Sequence, residues 1–371
     1  MQAESITLAI GGVVNNKWDG WSVDSDMLTP ADGFQLELFT QSLEQLPDVL
    51  KEGSPCTLML GSDRVLSGSI DEIEHDISRR GHSIRIVGRD RAGLLVDCSA
   101  PFVSLREASL SQIIEQIVKP LGITQYEIRA AAAKTRRLVQ IEPGQSVWEA
   151  LLEVATANGL WPWFEPDGTL IVGGPDYEAA PVGTLILRRD GIGNNVTRLS
   201  IRRSIANRYS QVTVLGQHGQ YADDGLDTGR SHLSGAVQDD ALARRGIFRP
   251  LVVIDSAAQD TNMATTRARK VLADSRLDGF EARAIVQGYR AANGKPWTPG
   301  QRVQIRSEPH GIDGVYFLMA RTLRLTRTGG AFTELRLRED KAWVLDANPG
   351  KKRKSDSDEE LRVMRKARGE T

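Results

Sequence analysis

The sequence has little cysteine and no long apolar run. Among its 371 residues only Cys56 and Cys98 are cysteines, and the absence of any CxxC pair excludes a cysteine-based zinc site. A disulfide between the two stays open, but two reduced thiols in a protein made in a cytoplasm is the favoured interpretation. No segment reaches the length of a membrane span, and the first residues, MQAESITLAI, lack the basic and apolar regions of a signal peptide. The sequence therefore predicts cytoplasmic folding and no membrane insertion of its own.

An excess of positive charge is also missing. Lys and Arg number 47 against 48 Asp and Glu, which leaves a net charge of −1. A protein whose main task is to grip phosphates usually carries a basic surplus, so sequence-specific nucleic-acid binding is not expected. The chain is longer than one ordinary hydrophobic core, and its 35 glycines between short alternating segments indicate a β-rich protein of several domains.

Catalytic and metal-binding motifs are absent. None of the five histidines lies in HExxH or another ligand spacing, and no phosphate-binding or dinucleotide-binding glycine pattern occurs. Ser146, in GQSVW, is explained by helix capping rather than by nucleophilic chemistry. A carboxylate pair contributed by distant positions stays open. We predict no catalytic residue, no metal and no cofactor. The side chains considered for these roles are His75, His82, His218, His232, His310, Asp223-Asp224, Asp239-Asp240 and the acidic run 355–360.

Alternating segments predict two similar small β-barrel domains. Ile6, Leu8 and Ile10 begin a series of short strands that predicts the first barrel over residues 1–98. Alternation returns at 181–217 and 281–346, which predicts a second, discontinuous barrel. Residues 218–280 are expected to form an inserted α/β domain, and the charged tail 347–371 is expected to be disordered by itself.

Two helical units with the same start and stop signals predict an α+β domain over residues 99–180. Ser109 with Gln112, and Ser146 with Glu149, have the spacing of a capping box. An apolar helical face follows each box. A glycine stop then lies at the same distance from each serine, at Gly122 and at Asn158-Gly159.

Two other groups of side chains could bind a ligand or serve the fold. Trp148, Trp161 and Trp163 could form an aromatic platform for sugar, but packing in the core under the helix is the favoured interpretation. A further helix is expected from a cap at Ser256 and Gln259. Its cations are interpreted as a solvated face because aspartates are interspersed; they are Arg267, Arg269, Lys270 and Arg276.

The two predicted barrels echo each other in sequence. Cys56-Thr57-Leu58 resembles Val303-Gln304-Ile305, and Ile84-Arg85-Ile86 resembles Leu335-Arg336-Leu337. Both barrels contain a long hairpin with glycine near its tip. The echo predicts a duplicated module, with the hairpin tips at Arg80-Gly81 and Gly329-Gly330.

Four segments together resemble the baseplate hub, or gpP-type tail protein, of Mu-like contractile-tailed phages. They are SGSIDEIEHDISRRGHSIRIVGRDRAGLLVDCSAP (67–101), the capped helix that leads into NGLWPWFEPDGTLIVG (146–173), ANRYSQVTVLGQ (206–217) and the stretch from KPWTPGQRVQIRSEPHG to FTELRL (295–337). Their order and spacing cover nearly the whole chain and suggest a close match to the hub of phage Mu. The resemblance extends in architecture to the T-even phage hub.

This resemblance implies a structural role without enzymatic activity. Hubs of this kind are homotrimeric rings in which two similar barrels per chain give six near-equivalent modules. A threefold membrane-puncturing spike can thereby join a sixfold tail tube. The implied partners are other copies of the chain, the spike protein, the tail tube and other baseplate or tape-measure proteins. The implied location is the virion tail baseplate, after assembly in the host cytoplasm, and DNA would pass through the ring during infection.

Two alternative functions stay open from the sequence. GQSVWEALLEVATANGL is similar to the start of a LysM repeat, which would make the chain a peptidoglycan-binding tail module. A tail-associated cell-wall hydrolase is the third hypothesis, although no motif supports it.

Overall fold

The computed structural model describes residues 4–40, 48–79, 81–102, 104–129, 136–141, 144–156, 159–216, 233–255, 258 and 261–343. The chain divides into a first unit, Met1–Asn207 with Arg276–Trp343, and a second unit, Arg208–Ser275 with Val344–Thr371. Several predicted features lie outside the described residues. They are the tail 347–371, most of the loop before Asp240 (residues 217–232), Arg80, Asn158, Ser256 and Gln259.

The first part of the first unit is almost entirely β-structure. Apolar and polar residues alternate along its strands, and a short helix closes it. The elements are β1 (Ile6–Ile10), β2 (Val13–Asn15), β3 (Gly20–Asp26), β4 (Gly33–Thr40), β5 (Pro55–Leu60), β6 (Asp63–Ser78), β7 (Gly81–Asp90) and α1 (Ala92–Asp97).

A helical segment with small sheets follows. Both predicted capping boxes are confirmed, because Ser109 accepts from the Gln112 N–H and Ser146 accepts from the Glu149 N–H. The elements are β8 (Ser104–Ala108), α2 (Leu110–Val118) with a 3-10 turn Lys119–Leu121, β9 (Tyr126–Ile128), β10 (Arg136–Gln140), α3 (Val147–Thr156), β11 (Trp161–Phe164) and β12 (Leu170–Gly173). Gly122 and Gly159 have φ of 76° and 71°, the left-handed conformation that their positions as helix stops require.

The chain then starts a second β-rich part, leaves it for the second unit, and returns. The elements of the first stretch are β13 (Thr184–Leu187) and β14 (Val196–Arg203). The second unit contains β15 (Gln211–Gly216), β16 (Ser234–Gln238), α4 (Asp240–Ala243), β17 (Pro250–Asp255) and most of α5 (Thr261–Gly279), whose residues from Arg276 onward belong to the first unit. The returning strands are β18 (Phe280–Gln287), β19 (Arg302–Ser307), β20 (Ile312–Thr326) and β21 (Gly330–Glu339).

The prediction of two closed barrels is wrong. The described strands of the two β-rich parts join in one open sheet of thirteen strands, ordered β14-β18-β21-β20-β3-β4-β7-β6-β5-β1-β2, with β19 beside β20 and β13 beside β19. The cause is the length of β20, whose 15 residues accommodate two partners along one edge. Its first half pairs with β19 and its second half with β3, so the ladder continues from one part into the other instead of closing.

The predicted duplication is visible in the strand order. One half of the sheet runs β3-β4-β7-β6-β5-β1, and the other runs β14-β18-β21-β20-β19-β13. Equivalent bulges follow Ile70 in β6 and Leu318 in β20. From these bulges, Cys56-Thr57-Leu58 and Val303-Gln304-Ile305 occupy equivalent positions, as predicted. The halves differ at one end, where β1 is antiparallel to β5 but β13 is parallel to β19.

The same register corrects the second sequence echo. Leu335 occupies the position of Ile86 when the two bulges are aligned. Ile86 lies opposite Ile73, three residues after Ile70, and Leu335 lies opposite Arg321, three residues after Leu318. The sequence had equated Leu335 with Ile84. The displacement is two residues, so the side chains stay on the same face of the strand.

Hydrophobic cores lie in each β-rich half and in the helical segment of the first unit. Trp21, Phe34 and Ile86 belong to the core of the first β-rich half, and Ala284 and Leu335 belong to that of the second half. The third core lies between α2 and α3 and also takes in residues of β11 and β12. In the second unit, a sheet ordered β16-β15-β17 packs one face on α5 through Val212, Val214 and Ala268.

Candidate functional site

Eight neighbouring strands of the large sheet share one polar face. These strands are β14, β18, β21, β20, β3, β4, β7 and β6. Along β3, Trp21 and Val23 are buried, while Ser22 and Asp24 point to the opposite side. Such alternation is typical of an antiparallel sheet with one face in the core and the other in water. The polar face therefore crosses both halves of the duplicated sheet without a break.

Ion pairs cover this polar face. Arg283 lies 2.6 Å from Glu281, and Arg324 lies 3.3 Å from Glu334. Arg336 pairs with Asp26 across β21, β20 and β3, which links the two halves of the sheet. The Arg324–Glu334 pair is about half exposed, and a pair of this kind contributes less than about 1 kcal/mol to stability. The larger effect of these ion pairs is electrostatic, since a carboxylate beside Arg283, Arg324 and Arg336 weakens the attraction of this part of the face for a polyanion.

The acidic end of the face lies on β6. Arg85 of β7 pairs with Glu72 at 3.7 Å and with Glu74 at 3.5 Å. Both glutamate side chains are about 60% exposed. Among the described strands, residues 72–77 pair with β7 and not with β5, which reaches only Ser69. The outer edge of residues 72–77 has no strand partner in the part of the chain that the structure describes, and acidic side chains lie along it.

The basic end of the face lies on β14. This strand pairs with β18 and forms the first strand of the sheet. Arg198 and Arg202 are exposed on its polar side. In the described part of the chain, neither forms an ion pair or a hydrogen bond through its side chain. The polar face thus runs from a basic strand, β14, to an acidic one, β6.

A second cluster of charges is buried beneath the sheet, where sequence reasoning placed none. Arg321 of β20 is 3% exposed, and its guanidinium donates to the carbonyls of Val23 at 3.1 Å and Val65 at 3.4 Å. Its Nε has no hydrogen-bond partner among the described residues. Burial lowers the pKa of Arg321, although the charges of Asp32 and Asp24 oppose this shift.

Two enclosed carboxyl groups, Asp90 and Asp32, line the same cavity as this arginine. Asp90 is 8% exposed, and its Oδ1 accepts from the Ala92 N–H at 2.9 Å. Its own N–H donates to the Asp32 carbonyl at 2.8 Å. Asp32 keeps part of its surface exposed, but its carboxylate is enclosed by protein and accepts from the Asp26 N–H at 3.1 Å. Burial raises the pKa of Asp32 to about 6. The pKa of Asp90 is also raised, mainly by burial and to a smaller extent by the negative charge of Asp32.

The cluster opens on a cavity of about 480 Å³ between the sheet and the helical segment. Asp32, Asp90 and Arg321 line it on the sheet side, and Trp163 and Glu165 line it on the other. A sequence signal for the cluster existed, because Arg321 stands in the apolar run YFLMARTLRL. Its partners lie about 300 residues earlier in the chain, so no local pattern could connect them.

The three candidate tryptophans have different environments. Trp148 is buried in the core of the helical segment, as favoured. Trp161 and Trp163 share a strand face, but the residues of β11 under the helix are Pro162 and Phe164. Core packing under the helix is therefore wrong for these two.

Trp161 is fixed from both sides. Its Nε1–H donates to the Met27 carbonyl at 2.6 Å, and its ring meets the edge of Trp343 at 5.6 Å between centroids. Trp163 has the guanidinium of Arg129 over its ring at 6.0 Å. The two indoles therefore join the helical segment to the sheet or to a neighbouring arginine, and neither presents a bare flat surface.

The other candidate residues have structural partners. The rings of His75 and His82 are 6.4 Å apart, and His310 Nδ1 lies 2.8 Å from Ser307 Oγ. Asp239 caps α4 and pairs with Arg208. Cys56 and Cys98 are free thiols. Within the described ranges no three His, Cys, Asp or Glu side chains are grouped to hold a metal ion. His218, His232, Asp223-Asp224 and the acidic run 355–360 lie outside the described residues.

The cations of α5 have acidic neighbours. Arg267 lies 3.4 Å from Asp255, and Lys270 pairs with Asp274 one helical turn away. This agrees with a solvated, ion-paired helix face. Of the helices that the structure describes, none is both long and apolar enough to cross a membrane.

Four family descriptions match successive parts of the chain. Residues 5–90 match "Mu phage baseplate assembly protein GpP-like, N-terminal", and residues 92–174 match "Baseplate hub protein gp44-like, second domain". Residues 208–272 match "Tail protein NMB1110-like, third domain", and residues 274–342 match "Tail protein, C-terminal domain". The crystal structure of the tail protein from Neisseria meningitidis MC58 is 34% identical, covers 93% of this chain and 99% of its own, and has a TM-score of 0.80. The chain belongs to the Mu-like family of phage baseplate hub proteins.

Other relatives of this Mu-like hub are more distant. The baseplate hub protein gp44 of Escherichia phage Mu is 23% identical over 367 residues, which span 96% of this chain and 93% of that protein. The Mu protein is thus not the close match that the four segments suggested. The 43 kDa tail protein of prophage MuSo2 from Shewanella oneidensis shares the fold, with a TM-score of 0.80 at 23% identity over 91% of this chain and 99% of its own.

The fold also extends beyond phages. The E. coli c3393 protein, described as a component of the type VI secretion system with structural similarity to T4 tail proteins gp27 and gp5, has a TM-score of 0.55. It is 11% identical and covers 91% of this hub chain and 78% of its own. At this identity the likeness concerns the fold alone.

Proposed function

We propose that this chain is the structural subunit of the hub in a contractile phage tail. Three copies form a ring that joins the sixfold tail tube to the threefold membrane-puncturing spike. The observation that carries the proposal is the duplicated strand order within one chain. A threefold assembly of such chains presents six similar modules, which removes the symmetry mismatch between tube and spike.

The proposed domains follow the sequence analysis, with half-sheets in place of barrels. They are residues 1–98, 99–180, 181–217 with 281–346, the insertion 218–280, and the tail 347–371. The ends of the four family matches, at 90, 174, 272 and 342, fall near these boundaries and support them. A long insertion between β14 and β18 leaves the half-sheet intact because its two ends emerge from neighbouring strands.

The polar face of the eight strands is proposed to line the channel of the ring. Arg85, Arg283 and Arg324 on this face have carboxylate neighbours at 2.6 to 3.7 Å, which weakens their hold on DNA phosphates, whereas Arg198 and Arg202 at its β14 edge have no such neighbour among the described residues. DNA could then pass without being retained. The spike, the tube and other baseplate or tape-measure proteins are the proposed partners, in the virion baseplate and, during assembly, in the host cytoplasm. The chain supplies no catalysis in this role.

The test is electron microscopy of the purified full-length protein. The expected particle is a closed ring of three equivalent subunits. Each subunit should show two similar lobes, and the ring should have the diameter of a phage tail tube. Compact particles without a central channel, at concentrations where the protein is otherwise soluble and folded, would contradict the proposal.

A further inference from the structure

Part of the charge around the cavity between the sheet and the helical segment is already neutralised. On the side of the helical segment, Arg129 lies 3.0 Å from Glu165, and both line the cavity. On the side of the sheet, the lining residue Asp26 pairs with Arg336. The charge of the enclosed space is therefore set by the lining residues outside these pairs.

Two enclosed carboxyl groups and one guanidinium remain beside the exposed Asp176. Asp90 is 8% exposed, the carboxyl group of Asp32 is enclosed by protein, and Arg321 is 3% exposed. Two carboxylates and one guanidinium sum to a charge of −1, which is unfavourable in an enclosed space unless one more positive charge joins them. A proton can supply that charge, and burial accordingly raises the pKa of both Asp32 and Asp90.

The guanidinium of Arg321 also has one donor without an acceptor. Its two terminal nitrogens donate to the carbonyls of Val23 and Val65, whereas its Nε–H has no partner among the described residues. An enclosed donor without an acceptor destabilises a protein. The cluster thus lacks one positive charge at its carboxyl groups and one acceptor at its guanidinium.

The size and the lining of the cavity fit a small organic ligand. Its volume of about 480 Å³ lies within the range of small-molecule sites. In the part of the chain that the structure describes, Asp32 and Asp90 have no third acidic, histidine or cysteine side chain with which to hold a metal ion. An organic cation therefore suits the two carboxyl groups better. Apolar side chains complete the lining; they include Met27, Val65, Leu66, Pro162 and Phe317.

We propose that this cavity binds a primary ammonium group with a carbonyl or carboxylate group beside it, as at the amino end of a peptide or in a free α-amino acid. The ammonium group donates to Asp32 and Asp90, and the neighbouring oxygen accepts from Arg321. The proton of the carboxyl pair leaves to solvent when the ammonium group binds, so the charge of the site is balanced before and after. The site is separate from the polar face, and the inference does not depend on the proposed hub role.

Isothermal titration calorimetry of the full-length protein at pH 7.0 tests the site. L-Phenylalaninamide carries both groups and should bind with a dissociation constant of about 1 mM or lower. N-Acetyl-L-phenylalaninamide lacks the ammonium group and phenethylamine lacks the carbonyl, so each should bind at least about tenfold more weakly. No binding of L-phenylalaninamide at about 10 mM, or equal binding of the acetylated compound, would overturn the proposal.

Comparison with L-phenylalanine separates the two sources of the ligand. Tighter binding of the amino acid than of its amide assigns the site to free amino acids. Tighter binding of the amide assigns it to the amino ends of peptides. Either order, together with the loss of binding on acetylation, supports the site.

Substitution of the enclosed carboxyl groups tests where the ammonium group binds. Asp32→Asn and Asp90→Asn each leave one carboxylate against one guanidinium, so each should weaken the binding of L-phenylalaninamide at least about tenfold. Asp176→Asn is the matched control, because Asp176 lines the same cavity but is exposed and accepts from the Glu178 N–H at 2.9 Å. Its effect should stay below about threefold. Undiminished binding in both Asp32→Asn and Asp90→Asn, with circular dichroism unchanged, would contradict the proposal.

The pH dependence of binding reports on the same carboxyl groups. Because burial raises the pKa of Asp32 to about 6, protons compete with the ligand, and the affinity for L-phenylalaninamide should fall about tenfold from pH 7 to pH 5. Binding at pH 7 should release protons, so the measured heat should vary with the ionisation enthalpy of the buffer. Equal affinity at both pH values would overturn the assignment. The charged groups around this carboxyl pair are Asp24, Asp26, Arg89 and Arg321 of the sheet, with Arg129, Glu165 and Asp176 beyond it.

Discussion

Replacing Asp32 by Asn should stabilise the protein at neutral pH. Burial raises the pKa of this carboxyl from 3.8 to about 6, so the folded state binds the Asp32 proton more tightly than the unfolded chain does. Below about pH 4 the carboxyl is protonated in both the folded and the unfolded state, so its burial does not lower the free energy of unfolding. As the pH rises through 6 the folded protein must hold an enclosed charge, and its free energy of unfolding falls.

The magnitude follows from the shift in pKa. A rise of about 2 units corresponds to about 3 kcal/mol at a pH well above 6. The partly exposed surface of Asp32 and its coupling to Asp90 reduce this figure, so a gain of about 1–3 kcal/mol is expected for Asp32→Asn. The asparagine keeps an oxygen that can accept from the Asp26 N–H.

The assay is urea unfolding at pH 7.5 and at pH 4.5, followed by tryptophan fluorescence. The free energy of unfolding of the variant should be higher than that of the unmodified protein at pH 7.5, and the difference should be smaller at pH 4.5. Asp97→Asn is the matched control, because Arg89 lowers the pKa of Asp97 and the substitution should bring no gain at either pH. A loss of stability for Asp32→Asn that is larger at pH 7.5 would refute the reasoning and show that the attraction between the charges of Asp32 and Arg321 outweighs burial.

Three further substitutions test the buried charge cluster, the close strand contact at Gly88 and the cap of α3. Arg321→Met should destabilise by about 3 kcal/mol, measured by urea unfolding, because enclosed carboxylates lose their cation; an unchanged midpoint would contradict the buried-cluster description. Gly88→Ala should lower the melting temperature strongly, since its Cβ would lie 2.3 Å from the Ser69 carbonyl oxygen, whereas Gly314→Ala, whose nearest neighbour is at 3.7 Å, should be mild; equal effects would exclude the clash. Ser146→Ala should cost about 1 kcal/mol through loss of the α3 cap, and no cost in thermal unfolding would show that the cap is dispensable.

The elements that sequence reasoning predicted well are governed by local physics. The capping boxes of α2 and α3 and their glycine stops depend on residues three to four positions apart, which a pattern can recognise. The equivalence of Cys56-Thr57-Leu58 with Val303-Gln304-Ile305 survived because both are central strands with the same alternation. Duplication was therefore visible even where identity was weak.

The features that were missed depend on contacts between distant parts of the chain. Closure of a barrel and continuation of a sheet use the same alternating strands, and the choice was decided by Leu323 pairing opposite Val23. The side of β11 that faces the helix was also undetermined, because Trp161 to Phe164 is apolar on both faces. The enclosed Arg321 gave a local signal, but the carboxylates whose charges act on it come from β3 (Asp24) and from the turn between β3 and β4 (Asp32).

The most direct test of the central claim is the mass of the purified full-length protein in solution. One chain has a mass of 40.8 kDa, so a hub that forms a trimer should give a particle of about three times that value by light scattering or native mass spectrometry. A mass that stays at one chain up to micromolar concentration, in protein shown to be folded, would contradict the account.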